Sequence, residues 1–252
     1  MNFQEKVVLV TGGAYGIGAS CVEEFLRRDV KGLVVADADE GKGFFKRLDD
    51  TYGGRVSFIK TDVTDKNSIE NAFEQTIAKY GNIDVIINSA AMFDESQWEK
   101  VIQINLISTA QSCLLAVDKY LPKYKIGQDA YIVNIISLAG LVPVEAAPHY
   151  SASKHGVVGL TRSYGCTKSI IRSGICVMGI CQGLTDIPLL KNINSSTTLY
   201  GELDERMAIL PRQKPEVVAA KLMEMLENPE SGAIWIVYNG VCSKAGLPTL
   251  EK

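Results

Sequence analysis

The sequence predicts an α/β fold, a doubly wound parallel sheet of seven strands with helices on both faces, in a single domain spanning residues 1–252. Three observations predict it. Short apolar runs rich in valine and isoleucine alternate with amphipathic stretches of helical period, as strands joined by helical crossovers do. A cluster of glycines joins the first such run to the first helical stretch. No linker or repeat breaks the alternation.

The elements follow in order. Residues 6–10 are almost wholly apolar and valine-rich, as a strand buried on both faces should be. Glycines stand at 12, 13, 16 and 18, after which Ile17, Cys21, Val22, Phe25 and Leu26 recur at helical spacing. Gly12, Gly16 and Gly18, with Tyr15 and Ile17 among them, therefore form a strand-to-helix turn. Such a turn lets a phosphate approach the free N–H groups of a helix start. Residues 33–36 make the second strand, ending in Asp37, nineteen positions after Gly18. A carboxylate there can accept from both hydroxyls of an adenosine ribose and repels a 2′-phosphate. Neither Tyr15 nor Ala38 is basic, so the expected cofactor is NAD rather than NADP.

Residues 39–51 read as a helix, 55–60 as a strand leading to Asp62 and Val63, and 66–80 as an amphipathic helix. Residues 83–87 form a strand ending at Asn88, and 98–120 a helix closed by Leu121-Pro122. Residues 130–136 form a strand ending at Ser137, 150–172 a long helix, and 174–180 a strand. A helix over 214–227 and a strand over 233–238 complete the alternation. Ligands of such sheets bind at the carboxyl ends of the strands. Gly12, Asp37, Asp62, Asn88, Ser137 and Cys181 all fall at such ends, which argues that they share one site.

Ser137, Tyr150 and Lys154 supply the chemistry. Oxidising a carbinol carbon by hydride removal also requires the hydroxyl proton to leave. Tyr150 is the candidate base, although a free phenol titrates near about 10. Lys154 lies one helical turn on, on the same face, where its charge, added to that of the nicotinamide, favours the phenolate. Ser137 can steady the substrate oxygen beside the tyrosine.

Composition excludes other classes. The net charge is −3 without a dense basic block, which gives no case for nucleic-acid binding. Strand residues begin by Lys6, leaving no room for a signal peptide, and no apolar run approaches about 18 residues, so a cytoplasmic, membrane-free protein is expected. Six cysteines without a Cys-x-x-Cys pair read as reduced thiols, and two histidines are too few for a zinc site. No metal is expected.

Taken together, Thr11-Gly-x-x-x-Gly-Ile-Gly18, Asp62-Val63, Asn88-Ser89-Ala90-Ala91, Asn105, Ser137 and Tyr150-x-x-x-Lys154 resemble, in order and spacing, the short-chain dehydrogenase/reductase family over essentially the whole length. Within it, Trp98-Glu99-Lys100, Gln103-Ile104-Asn105-Leu106 and Ser153-Lys154-His155-Gly156 resemble 15-hydroxyprostaglandin dehydrogenases. Arg28-Asp29-Val30-Lys31 and Gly232-Ala233-Ile234-Trp235 resemble insect-type alcohol dehydrogenases, a group whose relatives include ipsdienol-dehydrogenase-like enzymes of terpenoid alcohols. The resemblance implies a Rossmann-type domain in which Asp62, Val63, Asn88 and Ala90 contact the cofactor and Lys154 holds its ribose. It implies that Asn105 holds a water relaying the proton from Lys154, and that the chain forms a homodimer or homotetramer through the helices 98–120 and 150–172.

Three residues depart from the family pattern. Ala91 replaces a glycine, Gln182 replaces the proline before Gly183, and Ile187 stands where relatives often carry a threonine bonding the nicotinamide carboxamide. Thr185 or the Ile187 backbone is expected to substitute. A long connection over 188–212 is a candidate lid. Met92, Phe93, Leu138, Val142, Val144, Leu189 and Tyr200 are the expected substrate walls. Their apolar character favours a lipophilic secondary or allylic alcohol and its ketone or aldehyde. The alternatives are a catalytically silent ligand-binding relative and an NADPH-dependent carbonyl reductase.

Overall fold

A computed structural model describes residues 2–191, 193–199, 207 and 209–248. Its strands are β1 (Val7–Thr11), β2 (Gly32–Asp37), β3 (Val56–Lys60), β4 (Val85–Asn88), β5 (Ala130–Ile135), β6 (Ile175–Gln182), β7 (Ile234–Tyr238) and β8 (Val241–Lys244). They form one eight-stranded sheet in the order β3-β2-β1-β4-β5-β6-β7-β8. All are parallel except β8, which pairs antiparallel with β7. This eighth strand corrects the expected seven. Asn239 and Gly240 both have positive φ, 49° and 77°, which suits the tight turn of a hairpin and matches its right-handed twist.

Every residue of β1 is buried, because the strand lies inside the sheet with helices on both faces. Helix α1 (Gly16–Arg27) and the helix Pro215–Glu227 cover one face through Cys21, Val22, Phe25, Leu222 and Leu226. Helix α3 (Lys66–Tyr80) and the rod 98–124 cover the other through Ile69, Phe73, Cys113 and Leu121. Successive crossovers run from β1 to β2 and β3 on one side and to β4 and beyond on the other. The chain therefore diverges at the carboxyl ends of β1 and β4 and leaves a crevice there.

Several helix limits differ from the expected ones. Helix α2 (Phe44–Tyr52) begins after residue 39 because Gly41 and Gly43 take left-handed φ of 72° and 86°. The rod continues past Leu121-Pro122 to Tyr124, with proline tolerated at the start of its last turn. It contains two π-helical stretches, Gln103–Ile107 and Ala116–Tyr120. The expected helix 150–172 is two helices, Pro148–Cys166 and Lys168–Arg172, broken where Thr167 turns extended. The segment Glu95–Tyr124 is long and apolar enough to cross a membrane, but half of its most apolar window is buried against the fold, as in a core helix. All six cysteines are free thiols, and no metal-ligating cluster occurs among the described residues.

Candidate active site

The crevice is a cleft of about 700 Å³. Its floor is the glycine turn, and its crowding explains the residue choice. A Cβ on Gly12 would lie 2.6 Å from the Ala90 backbone, and one on Gly18 would collide with the Gly12 carbonyl. Gly12 and Gly16 also take φ of 65° and 54°, which L side chains rarely adopt. The turn delivers the chain into α1, whose N-cap residue Tyr15 makes no side-chain cap, so the helix start is open to an anion.

Asp37 ends β2 at the rim. Its Oδ2 accepts from the Ala14 N–H at 2.9 Å and its Oδ1 from the Ala38 N–H at 2.7 Å. Burial raises its pKa while those N–H groups hold it down. Tyr15 Oη donates to Asp39 Oδ1 at 2.6 Å, turning this lip acidic. Asp62, Val63 and Ala90 line the cleft, and the Asp62 carboxylate is turned toward Thr64, from whose N–H and hydroxyl it accepts. Lys60 and Lys100 line the same end.

Tyr150 and Lys154 lie on one face of the helix Pro148–Cys166, both buried and both lining the cleft. Lys154 Nζ stands 5.7 Å from the Tyr150 ring centroid and donates to the Ile135 carbonyl at 3.3 Å. Burial pulls the Lys154 ammonium down to about 8. Burial pushes Tyr150 up to about 12, with the neighbouring Ser137 hydroxyl pulling the other way. Desolvation is the dominant influence on this phenol. Ser137 stands at φ 156°, ψ 157°, a strained region for an L-residue. Its Oγ accepts from the Ala139 N–H at 3.2 Å.

Glu95 was not anticipated from the sequence. The helix Pro148–Cys166 begins with Ala147, which cannot cap it, and Pro148, which has no N–H. The next two N–H groups need acceptors. Glu95, 1% exposed, provides them. Its Oε1 accepts from the Tyr150 N–H at 2.7 Å. Its Oε2 takes the His149 N–H at 3.1 Å and pairs with His149 Nδ1 at 2.7 Å. A buried carboxylate thus fixes the backbone of Tyr150 from 55 residues away.

The structure divides the other expected site residues. Asn105 lies in the first π-helical stretch, where its Oδ1 accepts from the Met92 N–H at 2.8 Å. Its Nδ2 donates to the Met92 carbonyl at 3.0 Å and to Ser153 Oγ at 3.1 Å. Its amide therefore braces the loop after β4 against the helix bearing Tyr150. Asn88 does not line the cleft. Its Nδ2 donates to Asn134 Oδ1 at 2.8 Å, tying β4 to β5, because that side chain faces the sheet interior. Thr185 cannot stand in for a threonine at 187. It is 2% exposed, and its hydroxyl donates to the Gly183 carbonyl and accepts from Gln213. Neither Gly183 nor Thr185 borders the cleft, whereas Ile187 and Gln182 do.

Of the expected substrate walls, Met92, Phe93, Val144 and Leu189 gather around Tyr150 in one apolar cluster, joined by Ile193 and Met207. Phe93 and Tyr150 rings are 4.9 Å apart. Leu138 instead packs with Ile136 and Val158 on the far side of its turn, and Val142 is 50% exposed. Tyr200 lies outside the described residues.

The site can be tested for an NAD-type cofactor on its own atoms. The glycine turn has no room for a Cβ at Gly12 or Gly18, Asp37 stands at the rim, and Lys154, whose ammonium donates to the Ile135 carbonyl, lines the cleft. These residues fit the group.

Comparison with known proteins agrees with this geometry. The family described as short chain dehydrogenase matches residues 6–198. The chain is 34% identical to "15-hydroxyprostaglandin dehydrogenase [NAD(+)]" of Bos taurus, across 93% of this chain and 91% of that protein. It is 35% identical to "Alcohol dehydrogenase 1" of Ceratitis cosyra, across 97% of this chain and 96% of that protein. A crystal structure of a 3-ketoacyl-(acyl-carrier-protein) reductase from Brucella melitensis, complexed with NADH, superposes with a TM-score of 0.79. That match covers 94% of this chain and 98% of the other at 20% identity, and concerns the fold alone.

Proposed function

This chain belongs to the short-chain dehydrogenase family, and from that premise we propose that it oxidises a lipophilic secondary or allylic alcohol, such as a terpenoid one, to its ketone or aldehyde with NAD, and reverses the reaction. The observation that carries the reading is the buried Tyr150–Lys154 pair between a cleft of about 700 Å³ that reaches the glycine turn and Asp37, and an apolar wall of Met92, Phe93 and Leu189.

Glycines 12, 16 and 18 would receive the pyrophosphate, Asp37 the adenosine ribose, and Lys154 the second ribose. When bound, the oxidised nicotinamide supplies the hydride acceptor and a positive charge. Tyr150 Oη takes the hydroxyl proton. From about 12, its pKa must fall about three to four units to work at pH 8–9, roughly 4–5 kcal/mol of added cationic field. Lys154 contributes to that field once ribose hydroxyls satisfy its ammonium. Ser137 holds the substrate oxygen beside Tyr150. Glu95 holds the Tyr150 backbone, so the phenol is not free to follow a misaligned substrate. The Asp37 carboxylate and the absence of a base at Tyr15 or Ala38 argue against an NADPH-dependent carbonyl reductase.

The test is NADH absorbance at pH 8–9 with NAD or NADP and a panel of secondary and allylic alcohols, with Tyr150→Phe alongside. Turnover with NAD that vanishes in the variant supports the proposal. NAD binding without turnover of any alcohol would favour a silent ligand-binding relative.

A further inference from the structure

We propose that Ile193 is a plug: it fills the chamber beside Tyr150 that the apolar body of the alcohol takes, and must swing out for the alcohol to bind. The proposal rests on the reading that the chain oxidises a lipophilic alcohol at Tyr150.

A carbinol carbon has to lie against the Tyr150 hydroxyl, so its substituents extend into the space around that ring. The protein's own side chains fill that space. Tyr150 is 7% exposed and Phe93 8%, their rings are 4.9 Å apart, and Ile193, itself 8% exposed, is buried in the same apolar cluster. The open cleft reaches Tyr150 and Leu189, but Phe93, Val101, Ala139, Val144 and Ile193 do not border it. An alcohol with an apolar body therefore needs one of these side chains to move.

The frame decides which. Phe93 follows Met92, whose N–H and carbonyl are both held by the Asn105 amide. Val101 belongs to the rod, Ala139 to the turn after Ser137, and moving either disturbs the residues that hold the site. Ile193 lies instead on the connection after β6, between the short helix Pro188–Lys191 and a tight turn in which the Thr197 N–H and the Thr198 hydroxyl donate to the Asn194 carbonyl. Its own N–H donates to the Leu190 carbonyl at 3.4 Å, a long bond. Two backbone bonds fasten the turn to the frame: the Glu95 N–H donates to the Thr197 carbonyl at 2.9 Å, and the Leu199 N–H to the Ala146 carbonyl at 3.0 Å. Ile193 stands between those fastenings and the helix, so it can leave the chamber while both stay in place. The apolar body of the alcohol then takes over the contacts Ile193 gives up. A plug and a wall predict opposite signs. Shortening a wall opens a gap and weakens binding, whereas shortening a plug leaves less apolar surface to displace and strengthens it.

The experiment measures binding of 2-octanone to NAD-saturated wild type, Ile193→Val and Ile193→Ala, by calorimetry and by stopped-flow tryptophan fluorescence. Oxidised NAD cannot reduce the ketone, so binding is read without turnover. Affinity should rise about threefold in Ile193→Val and about tenfold or more in Ile193→Ala, with one and three fewer carbons to displace. The wild-type association rate should saturate with ketone concentration, because withdrawal of the plug limits it. Unchanged or lower affinity in the shortened variants makes Ile193 a wall and overturns the proposal. A wild-type rate that climbs linearly up to the solubility limit overturns it without any variant having to fold. Failure of all three proteins to bind the ketone overturns it as well. NADH formation from 2-octanol judges the underlying reading separately. Turnover alongside any of these failures leaves the dehydrogenase standing, whereas wild type that neither oxidises the alcohol nor binds the ketone removes both.

Discussion

Glu95 gives the sharpest test of how the site is held. Alanine at this position removes the acceptor for two backbone N–H groups, those of His149 and Tyr150, at 3.1 and 2.7 Å, and for the His149 ring at 2.7 Å. The Tyr150 bond is buried, and hydrogen bonds to a charged group contribute about 1.5–3 kcal/mol. The two His149 contacts are only partly buried and water can replace some of their value. Glu95→Ala should therefore cost about 3–4 kcal/mol, in the upper range for a lost helix cap with its dipole contribution. Glu95→Gln keeps the shape. Its amide oxygen can still accept from one N–H, but its NH₂ then faces the other donor, so about half the loss is expected. Thermal and urea unfolding should rank the variants wild type, Gln, Ala. Single-turnover rates, measured where each variant is folded, should fall about 10- to 100-fold in Glu95→Ala, because displacing the first turn displaces the reacting phenol. A Glu95→Ala protein with unchanged midpoint, or one destabilised as predicted but with full turnover, would refute the argument that this carboxylate positions Tyr150.

Three further outcomes follow from the same structure. The Lys154 ammonium has a folded pKa of about 8 against an ordinary 10.5, so below pH 8 it is charged in both states and its burial costs about 3 kcal/mol. Between pH 8 and 10.5 the unfolded chain binds the extra proton, so stability should rise with pH, and Lys154→Met should abolish activity, stabilise the fold at pH 7 and flatten that rise in urea titrations. Asp37→Ala should narrow the preference for NAD over NADP at least about tenfold by removing the charge facing a 2′-phosphate, read as the ratio of the two cofactors' Kd values. Gly18→Ala should abolish dinucleotide binding in calorimetry, since its Cβ would strike the Gly12 carbonyl and open the turn.

Local pattern explains what was legible in the chain. Five of the eight strands hold apolar runs of at least four residues, and the glycine turn, Asp37, Tyr150 and Lys154 stand at fixed offsets from strand ends or along one helix face. Such offsets survive in sequence because strand and helix geometry set them. The missed strand β8 has an exposed, mixed sequence, Val-Cys-Ser-Lys, and its only signal was the Asn239-Gly240 pair. The break at Thr167 lies inside a continuous helical pattern and carries no proline or glycine of its own.

Sequence by itself determined the doubly wound sheet, the glycine turn at its switch point and the helix face that carries Tyr150 and Lys154, because each depends on neighbours within one turn or on the alternation of elements. Tertiary structure alone decided the rest. It brought Glu95 under the first turn of a helix 55 residues away, turned Asn88 and Thr185 inward, and separated Leu138 from the apolar wall. It also buried the Tyr150 phenol, which pushes its pKa up. These outcomes depend on burial and on which side chains meet across the sheet, and both arise only when distant segments pack together.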